Sequence, residues 1–376
     1  FKKKKYYKRL SRQEMGEIHK VLRPSFELIP ALSVRVDEVY RKMVGMTERQ
    51  FEIVDAADES DRIICTGGAG SGKSLLAMEV ARREAQKERK VAFVSPGGLF
   101  GAHVRESLVP AGVCFVELDI QQGKLNCPDS GVFDCIVVDE AQDMMNWGLL
   151  DEFTRILKGG FEQGCWYIFM DPNNQKGLQG RFEQDAFDYI SNLAYTPLKL
   201  RSNCRNTPQI ILQTQLLTGA DIGVSRLDGE GEKVIMRTYS SRHESATLII
   251  DIIKKWKGGG VELSEITLLT AGPFEDAFPD GLPGPWKSRT YELNEETVNS
   301  RATDGLATAR ITAFKGLESK YIIVTGLENI SDEDVDVRTL YTGMTRANVM
   351  LFILIPNESE PLFKKWTEAH LNLLNG

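Results

Sequence analysis

No run of apolar residues in the 376-residue chain approaches the roughly 20 needed to span a bilayer, and no signal-peptide pattern opens it. These absences exclude a helical membrane protein and point to the cytoplasm. Histidine is scarce, with four residues far apart in sequence, so no histidine metal pattern exists. The six cysteines, Cys65, Cys114, Cys127, Cys135, Cys165 and Cys204, never fall at zinc-site spacings. Several lie inside apolar runs such as Phe133 to Val138, the surroundings of buried, reduced thiols. A net charge of −7 and a pI near 5.4 exclude a protein wholly devoted to coating nucleic acid, but not one with a local basic track. Acidic residues are missing from Phe1 to Arg12, where Lys2, Lys3, Lys4, Lys5, Lys8, Arg9 and Arg12 crowd together. Such a run reads first as a solvated linker. An initial Phe in place of Met leads us to expect a further segment upstream.

What remains is a soluble globular mixture, 42% hydrophobic and 26% charged, in a chain too long for one ordinary hydrophobic core. Two domains are expected. Short β-rich runs alternate with helix-length segments, the pattern of parallel α/β units. Strands are predicted at Arg62 to Thr66, Lys90 to Ser95, Val113 to Leu118, Phe133 to Asp139 and Trp166 to Met170, with helices at Ser74 to Gln86, Leu99 to Leu108 and Leu149 to Leu157. A second series starts with a strand near Leu198 to Leu200 and a helix at Pro208 to Leu217, and closes with a helix at Pro361 to Leu374. The domain boundary is expected near Tyr195 to Pro197. Gly272 to Pro285, rich in Gly and Pro, reads as loop.

Gly67-Gly68-Ala69-Gly70-Ser71-Gly72-Lys73-Ser74 follows a predicted strand and opens a predicted helix, meeting the G-x-x-x-x-G-K-[ST] pattern in its required context. Glycines let the backbone curl so that N–H groups converge on phosphate oxygens, and the helix N-terminus adds a favourable dipole. Gly68, Ala69, Gly70, Ser71 and Gly72 are therefore the expected cradle, Lys73 the counter-charge of the terminal phosphates, and Ser74 a Mg²⁺ ligand. The apolar strand Ile136-Val137-Val138 runs into Asp139-Glu140-Ala141-Gln142-Asp143. A carboxylate at the end of a strand beside such a loop can hold Mg²⁺, and the next can deprotonate attacking water. Asp139 and Glu140 take these roles, and ATP with Mg²⁺ is the expected ligand set.

The box Asp139-Glu140-Ala141-Gln142-Asp143 resembles that of superfamily 1 helicases of the UvrD/Rep type, and further segments follow in that family's order across Met46 to Asn348. The resemblance implies two tandem RecA-like P-loop domains with parallel sheets. Met46-Thr47-Glu48-Arg49-Gln50 looks like the family's Q-motif, which implies that Gln50 reads the adenine edge. Leu200 to Thr207 resembles the N-Y-R-S segment and makes Arg205 an arginine finger. Lys315-Gly316-Leu317-Glu318 matches the K-G-L-E box and puts Glu318 near ribose or phosphate. Tyr341 to Ala347 matches the T-R-A box and makes Arg346 a second finger. Met170-Asp171-Pro172-Asn173-Asn174-Gln175 resembles the G-D-x-x-Q box with one extra residue, and Gln175 is the implied γ-phosphate sensor. Guanidinium forks suit charge on a transferring phosphoryl group, and supplying them across a cleft couples hydrolysis to closure.

Departures from the family bear on function. Cys204 stands where Tyr is usual, removing an aromatic platform for adenine, and Thr312 stands where His is usual. After the G-D-x-x-Q-like box only Phe182 remains of the aromatics that stack on bases. About 40 residues separate Ser95 from Ile136, and about 100 separate Arg205 from Arg310, leaving no space for large accessory insertions. The expected organisation is residues 1–45 as a basic linker or remnant of an upstream domain, 46–195 as the first RecA-like domain and 196–376 as the second. This layout is similar to the helicase halves that follow a nuclease-related NERD domain. The implied activity is an ATP-dependent translocase or helicase core on single-stranded DNA, with Ser95 to Gly98 touching the sugar-phosphate backbone. An RNA helicase, and a nucleotide-gated switch that regulates an attached nuclease or partner without unwinding, stay open beside it.

Overall fold

The computed structural model describes residues 31–44, 48–119, 122–127, 131–171, 182–225, 227, 231–278 and 280–374. The basic run at 1–12, Met46 and Thr47 of the Q-motif-like segment, and Gln175 lie outside them. Strands β1 (Arg62–Gly67), β2 (Val91–Pro96), β3 (Cys114–Asp119), β4 (Lys124–Asn126), β5 (Cys135–Val138), β6 (Cys165–Met170) and β7 (Thr196–Leu200) form one sheet. Its order is β4-β3-β2-β5-β6-β1-β7, parallel except for β4. A two-stranded pair, β8 (Ser202–Asn203) and β9 (Val224–Ser225), follows. The second sheet comprises β10 (Ile235–Tyr239), β11 (Ile266–Thr270), β12 (Thr290–Glu292), β13 (Leu306–Arg310), β14 (Ser319–Thr325) and β15 (Ala347–Pro356). Its order is β10-β15-β14-β11-β13-β12, parallel throughout.

Every residue of β2 and β5 is buried, because helices cover both faces of a parallel sheet. Phe93 and Val137 pack with Leu76, Val80 and Val104 of the helices Lys73–Gln86 and Gly98–Leu108. Ala92, Val94 and Ile136, pointing the other way, meet Leu149, Phe153 and Ile190 of the helices Trp147–Ile156 and Gln184–Leu193. In the second sheet Leu268, Ile323 and Phe352 pack under Ile249, Ile253 and Trp256 of the helix Arg242–Gly258. That helix starts where the Ser241 hydroxyl accepts the Glu244 N–H at 3.2 Å, and its last turn carries Lys255 and Lys257. No helix among the described residues is long and apolar enough to cross a membrane.

Three expectations need correction. The strand at Thr196–Leu200 pairs with β1 and closes the first sheet, so the second unit starts after Leu200 and not at residue 196. β7 carries Pro197, which has no N–H to give a ladder, and as an edge strand it tolerates that. The expected linker is also partly structured. Leu32–Val44 is a helix whose Val36 is 1% exposed in the core of the second sheet. The Ser33 N–H donates to the Gly259 carbonyl at 3.1 Å, and Arg35 pairs with Glu232 at 2.7 Å. Third, the Gly/Pro-rich stretch from Gly272 contains a short helix, Phe274–Ala277, whose Phe278 neighbour packs into the second core.

Docking of Leu32–Val44 predicts that Val36→Ala lowers stability by about 1–2 kcal/mol, from roughly 0.8 kcal/mol per buried methylene lost. A urea titration measures it. A midpoint equal to the parent's would mean that this segment is a solvated linker after all.

Candidate functional site

β1 delivers the glycine-rich loop to the carboxyl edge of the first sheet, where a parallel sheet collects its ligand-binding turns. Gly70 and Gly72 adopt left-handed φ values of 77° and 85°. Each also lacks space for a Cβ, which would stand 2.6 Å from Asn203 Oδ1 at Gly70 and 2.2 Å from Gln50 Nε2 at Gly72. Lys73 opens the following helix and folds back, its ammonium donating to the Gly67 carbonyl at 2.8 Å and the Gly68 carbonyl at 2.9 Å. The Ser71 hydroxyl donates to Gly68 at 2.8 Å, and Gly68 itself lies against Ile222. Gln50, buried on the helix Glu48–Glu59, donates its amide to the Ser71 carbonyl at 3.0 Å. In this structure that amide clamps the loop.

The acidic turn stands one strand away, because β6 lies between β5 and β1. Asp139 is 0% exposed and neither carboxylate oxygen has a hydrogen-bond partner. Burial and the Glu140 charge push its pKa up, against the pull of the Ser74 hydroxyl and the Lys73 ammonium. An orphaned buried carboxylate facing a hydroxyl is a donor set that fits a hard divalent cation such as Mg²⁺. Glu140 holds a left-handed backbone, φ 55°, which for a residue with a Cβ costs about 1–3 kcal/mol and is kept only where surrounding structure dictates it. Gln142 dictates part of it, donating to the Glu140 carboxylate and accepting the Asp171 N–H at 2.9 Å. Burial works to raise the Glu140 pKa, but the charges of Lys315, Lys73 and Arg346 outweigh it and hold the group low, ionised.

The second unit reaches this edge with three cations and several polar groups. Lys315, 5% exposed, pairs with Asp143 and lies 3.6 Å from Glu140. Arg346, also buried, donates to the Thr342 carbonyl and the Thr345 hydroxyl, both at 3.1 Å. Burial, then repulsion by Arg205, lowers its pKa to about 10, while Glu140 supports its charge. Arg205 is ion-paired with Glu318. The glycine-rich loop is gripped directly: Cys204 N–H donates to the Gly70 carbonyl at 2.8 Å, Asn203 to the Ala69 carbonyl at 3.1 Å, and the Ala69 N–H to the Tyr341 hydroxyl at 3.3 Å. Asn206 ties the same segment to the T-R-A turn through the carbonyls of Thr345 and Ala347, at 3.1 and 2.6 Å.

Between the units opens a cavity of about 470 Å³ lined by Gln50, Gly70, Gly72, Ser74, Arg205 and Glu318, within the range of small-molecule sites. Lys73, Asp139 and Arg346 are buried and do not line it. Glu140 faces a second groove of about 580 Å³, shared with Gly97, Gly98, Thr312 and Lys315. Carboxylates dominate that groove: Glu117, Asp119, Glu292 and Glu295 line it with Glu140. Phe182 packs on Phe187, ring centroids 5.9 Å apart, against the first sheet's core.

Reading the motifs alone missed the roles of Lys315, Gln142, Asn203, Asn206 and Tyr341. Lys315 and Tyr341 sat inside recognised boxes, and only their ion pair or hydrogen bonds reveal the contact. The cysteines also hold a surprise, since Cys135 and Cys165 face each other across β5 and β6 with sulfurs 3.2 Å apart and Glu84 beside them. Arg89 stands beside them, 2.7 Å from Glu84 and 3.1 Å from the Cys165 sulfur.

No protein-family model matches the chain, and no curated protein matches it. Among solved structures, the C-terminal domain of a possible DNA helicase from Lactobacillus plantarum WCFS1 aligns at 17% identity, over 44% of this chain and 95% of its own, with a TM-score of 0.34. The PRRSV helicase aligns at 12% identity over 83% of this chain and 56% of its own, with a TM-score of 0.41. Likenesses this distant leave the site to stand on its own geometry.

That geometry makes Lys315 the cation that two carboxylates of the other unit require. Lys315→Met is expected to cost about 3–5 kcal/mol, the range for breaking a buried pair from one side. Adding Asp143→Asn to it recovers part of the loss. Chemical denaturation of both variants checks this; a single-variant cost below about 1 kcal/mol would mean a solvent-screened pair.

Proposed function

We propose that the chain is an ATP-hydrolysing nucleic-acid translocase or helicase core of two RecA-like domains, with ATP held between the sheets and single-stranded DNA as its track. One observation carries the nucleotide part: a glycine-rich loop, an orphaned buried carboxylate and an ionised glutamate of one unit meet Arg205, Lys315 and Arg346 of the other. Bound Mg²⁺ would be held by Ser74 and Asp139 and would neutralise phosphate charge. The chain's own groups do the rest. Lys73 exchanges the carbonyls of Gly67 and Gly68 for terminal phosphate oxygens, gaining charge-assisted bonds in their place. Glu140, kept ionised by its cationic neighbours, takes the proton of the attacking water as its oxygen bonds to the γ-phosphorus and the bond to ADP breaks. Arg205, released from Glu318, stabilises the charge that develops. Glu318 is then free for the ribose.

The resemblance to superfamily 1 helicases supports DNA as the track, and the likeness to chains that follow a NERD domain supports an attached nuclease as partner. A specific observation favours the second reading, a nucleotide-gated switch. The groove where Ser95 to Gly98 was expected to meet a sugar-phosphate backbone is lined by carboxylates, and a Cβ at Gly97 would stand 1.8 Å from Glu117 Oε1. Carboxylates there repel a polyanion.

Lys73→Ala and Glu140→Gln are each expected to cut ATP turnover by roughly 10²-fold or more, with Glu140→Gln still binding ATP. Arg205→Ala is expected to lower turnover by up to about 10³-fold while changing ATP affinity far less. Steady-state hydrolysis beside nucleotide-binding titrations checks all three, and turnover within a few-fold of the parent in every variant would remove the site.

The track is tested separately by ATP turnover with single-stranded DNA, single-stranded RNA and blunt duplex over a salt series. The motor reading expects stimulation by single strands that fades as salt rises. Equal turnover with and without all three at low salt selects the switch.

A further inference from the structure

The cavity between the units is roomy enough for a whole nucleotide, and a nucleobase in it would need a flat surface to lie on. Cys204 is too small to stack on one. Three ring-bearing side chains line the cavity: Phe100, His103 and Tyr40. Phe100 is covered by Gly316 of the second unit, where a Cβ would stand only 2.5 Å from Phe100 Cγ. His103 is engaged across the cleft by the Asn299 side chain at 2.7 Å. Tyr40 is left, in the second half of the helix Leu32–Val44.

Its ring is held in place before any ligand arrives. The Lys320 ammonium stands 5.2 Å from the ring centroid, and Lys320 is itself fixed by Asp37 at 2.6 Å and Glu265 at 2.9 Å. The phenol lies among the charges of Glu318 and Arg205, the pair that lines the same cavity. Val36, four residues earlier, anchors the helix in the second core. Lys320 thus stands against the ring while Val36 holds its helix on the second sheet.

We propose that Tyr40 is the aromatic wall on which the base of the bound nucleotide stacks, replacing from the N-terminal helix the platform that Cys204 does not provide. This rests on the reading of the cavity as a nucleotide site. Every base has a π-face, so stacking adds affinity without choosing between bases. Tyr40 therefore governs how tightly a nucleotide is held and not which one. Because its helix is docked on the second sheet while the phosphates lie on the first, the base end of the ligand joins both units.

The test is calorimetric titration of the whole chain with ATP, GTP and inorganic tripolyphosphate, for the parent, Tyr40→Phe and Tyr40→Leu. Tyr40→Leu is expected to weaken ATP and GTP alike by about tenfold, in the range of a lost base–aromatic stack, with tripolyphosphate unchanged. Tyr40→Phe is expected to bind all three as the parent does. Unchanged ATP affinity in Tyr40→Leu, or an equal loss of tripolyphosphate, overturns the proposal. Should the leucine variant fold poorly, photolabelling of the parent with 8-azido-ATP decides: label on the peptide holding Leu32–Val44 supports it, and label only elsewhere overturns it. A parent that binds neither ATP nor tripolyphosphate refutes the nucleotide site itself, whereas a parent binding both equally well refutes Tyr40 alone.

Discussion

A lysine from one sheet unit buried against two carboxylates of the other is the contact on which the arrangement of the cleft depends. Lys315 pairs with Asp143 and approaches Glu140 to 3.6 Å, far from solvent. Neither side could be buried alone, because an isolated charge in a low-dielectric interior costs several kcal/mol. Lys315, together with Lys73 and Arg346, holds Glu140 ionised.

A related exchange operates at the phosphate end. With the cleft as it stands, Lys73 satisfies itself on loop carbonyls, Arg205 on Glu318, and the loop's own amide and carbonyls on Tyr341, Asn203 and Cys204. Lys73, Arg205 and the Ala69 N–H are donors held by oxygen acceptors, which other oxygens can replace at little net cost, whereas the carbonyls of Ala69 and Gly70 keep the donors Asn203 and Cys204. Asp139 is the exception, a buried carboxylate with the Ser74 hydroxyl before it, a pair of oxygens that suits a hard divalent cation.

The course of the chain links these parts. It starts, among described residues, on the second sheet with Leu32–Val44, crosses to the first for β1 through β7, and returns after Leu200. Two crossings place Tyr40, Gln50, the glycine-rich loop and Arg205 on one cavity although they come from different elements and both units. Any motion between the sheets has to act on all of them together.

Much of this was legible in the residues themselves. The apolar runs at Ile136-Val137-Val138 and Trp166 to Met170 are too continuous for anything but strands buried on both faces, and the glycine-rich pattern sits where it must, between a strand and a helix. Local pattern decided these because local sterics and burial decide them. What it could not decide was which distant surface each element would meet. The strand at Leu198 to Leu200 was legible but not the sheet it joins, and the helix Leu32–Val44 was lost in the expected linker because its buried seam, around Val36, has meaning only against Trp256 and its neighbours. Gln50 was legible as part of a nucleotide motif, but its bond to Ser71 was not. The chain by itself therefore determined the alternating α/β elements and the chemistry each turn can offer. Only the tertiary structure decided that Lys315 answers Asp143, that Tyr40 reaches the cavity and that carboxylates line the second groove, because charge pairing and cavity shape arise between residues that no local spacing connects.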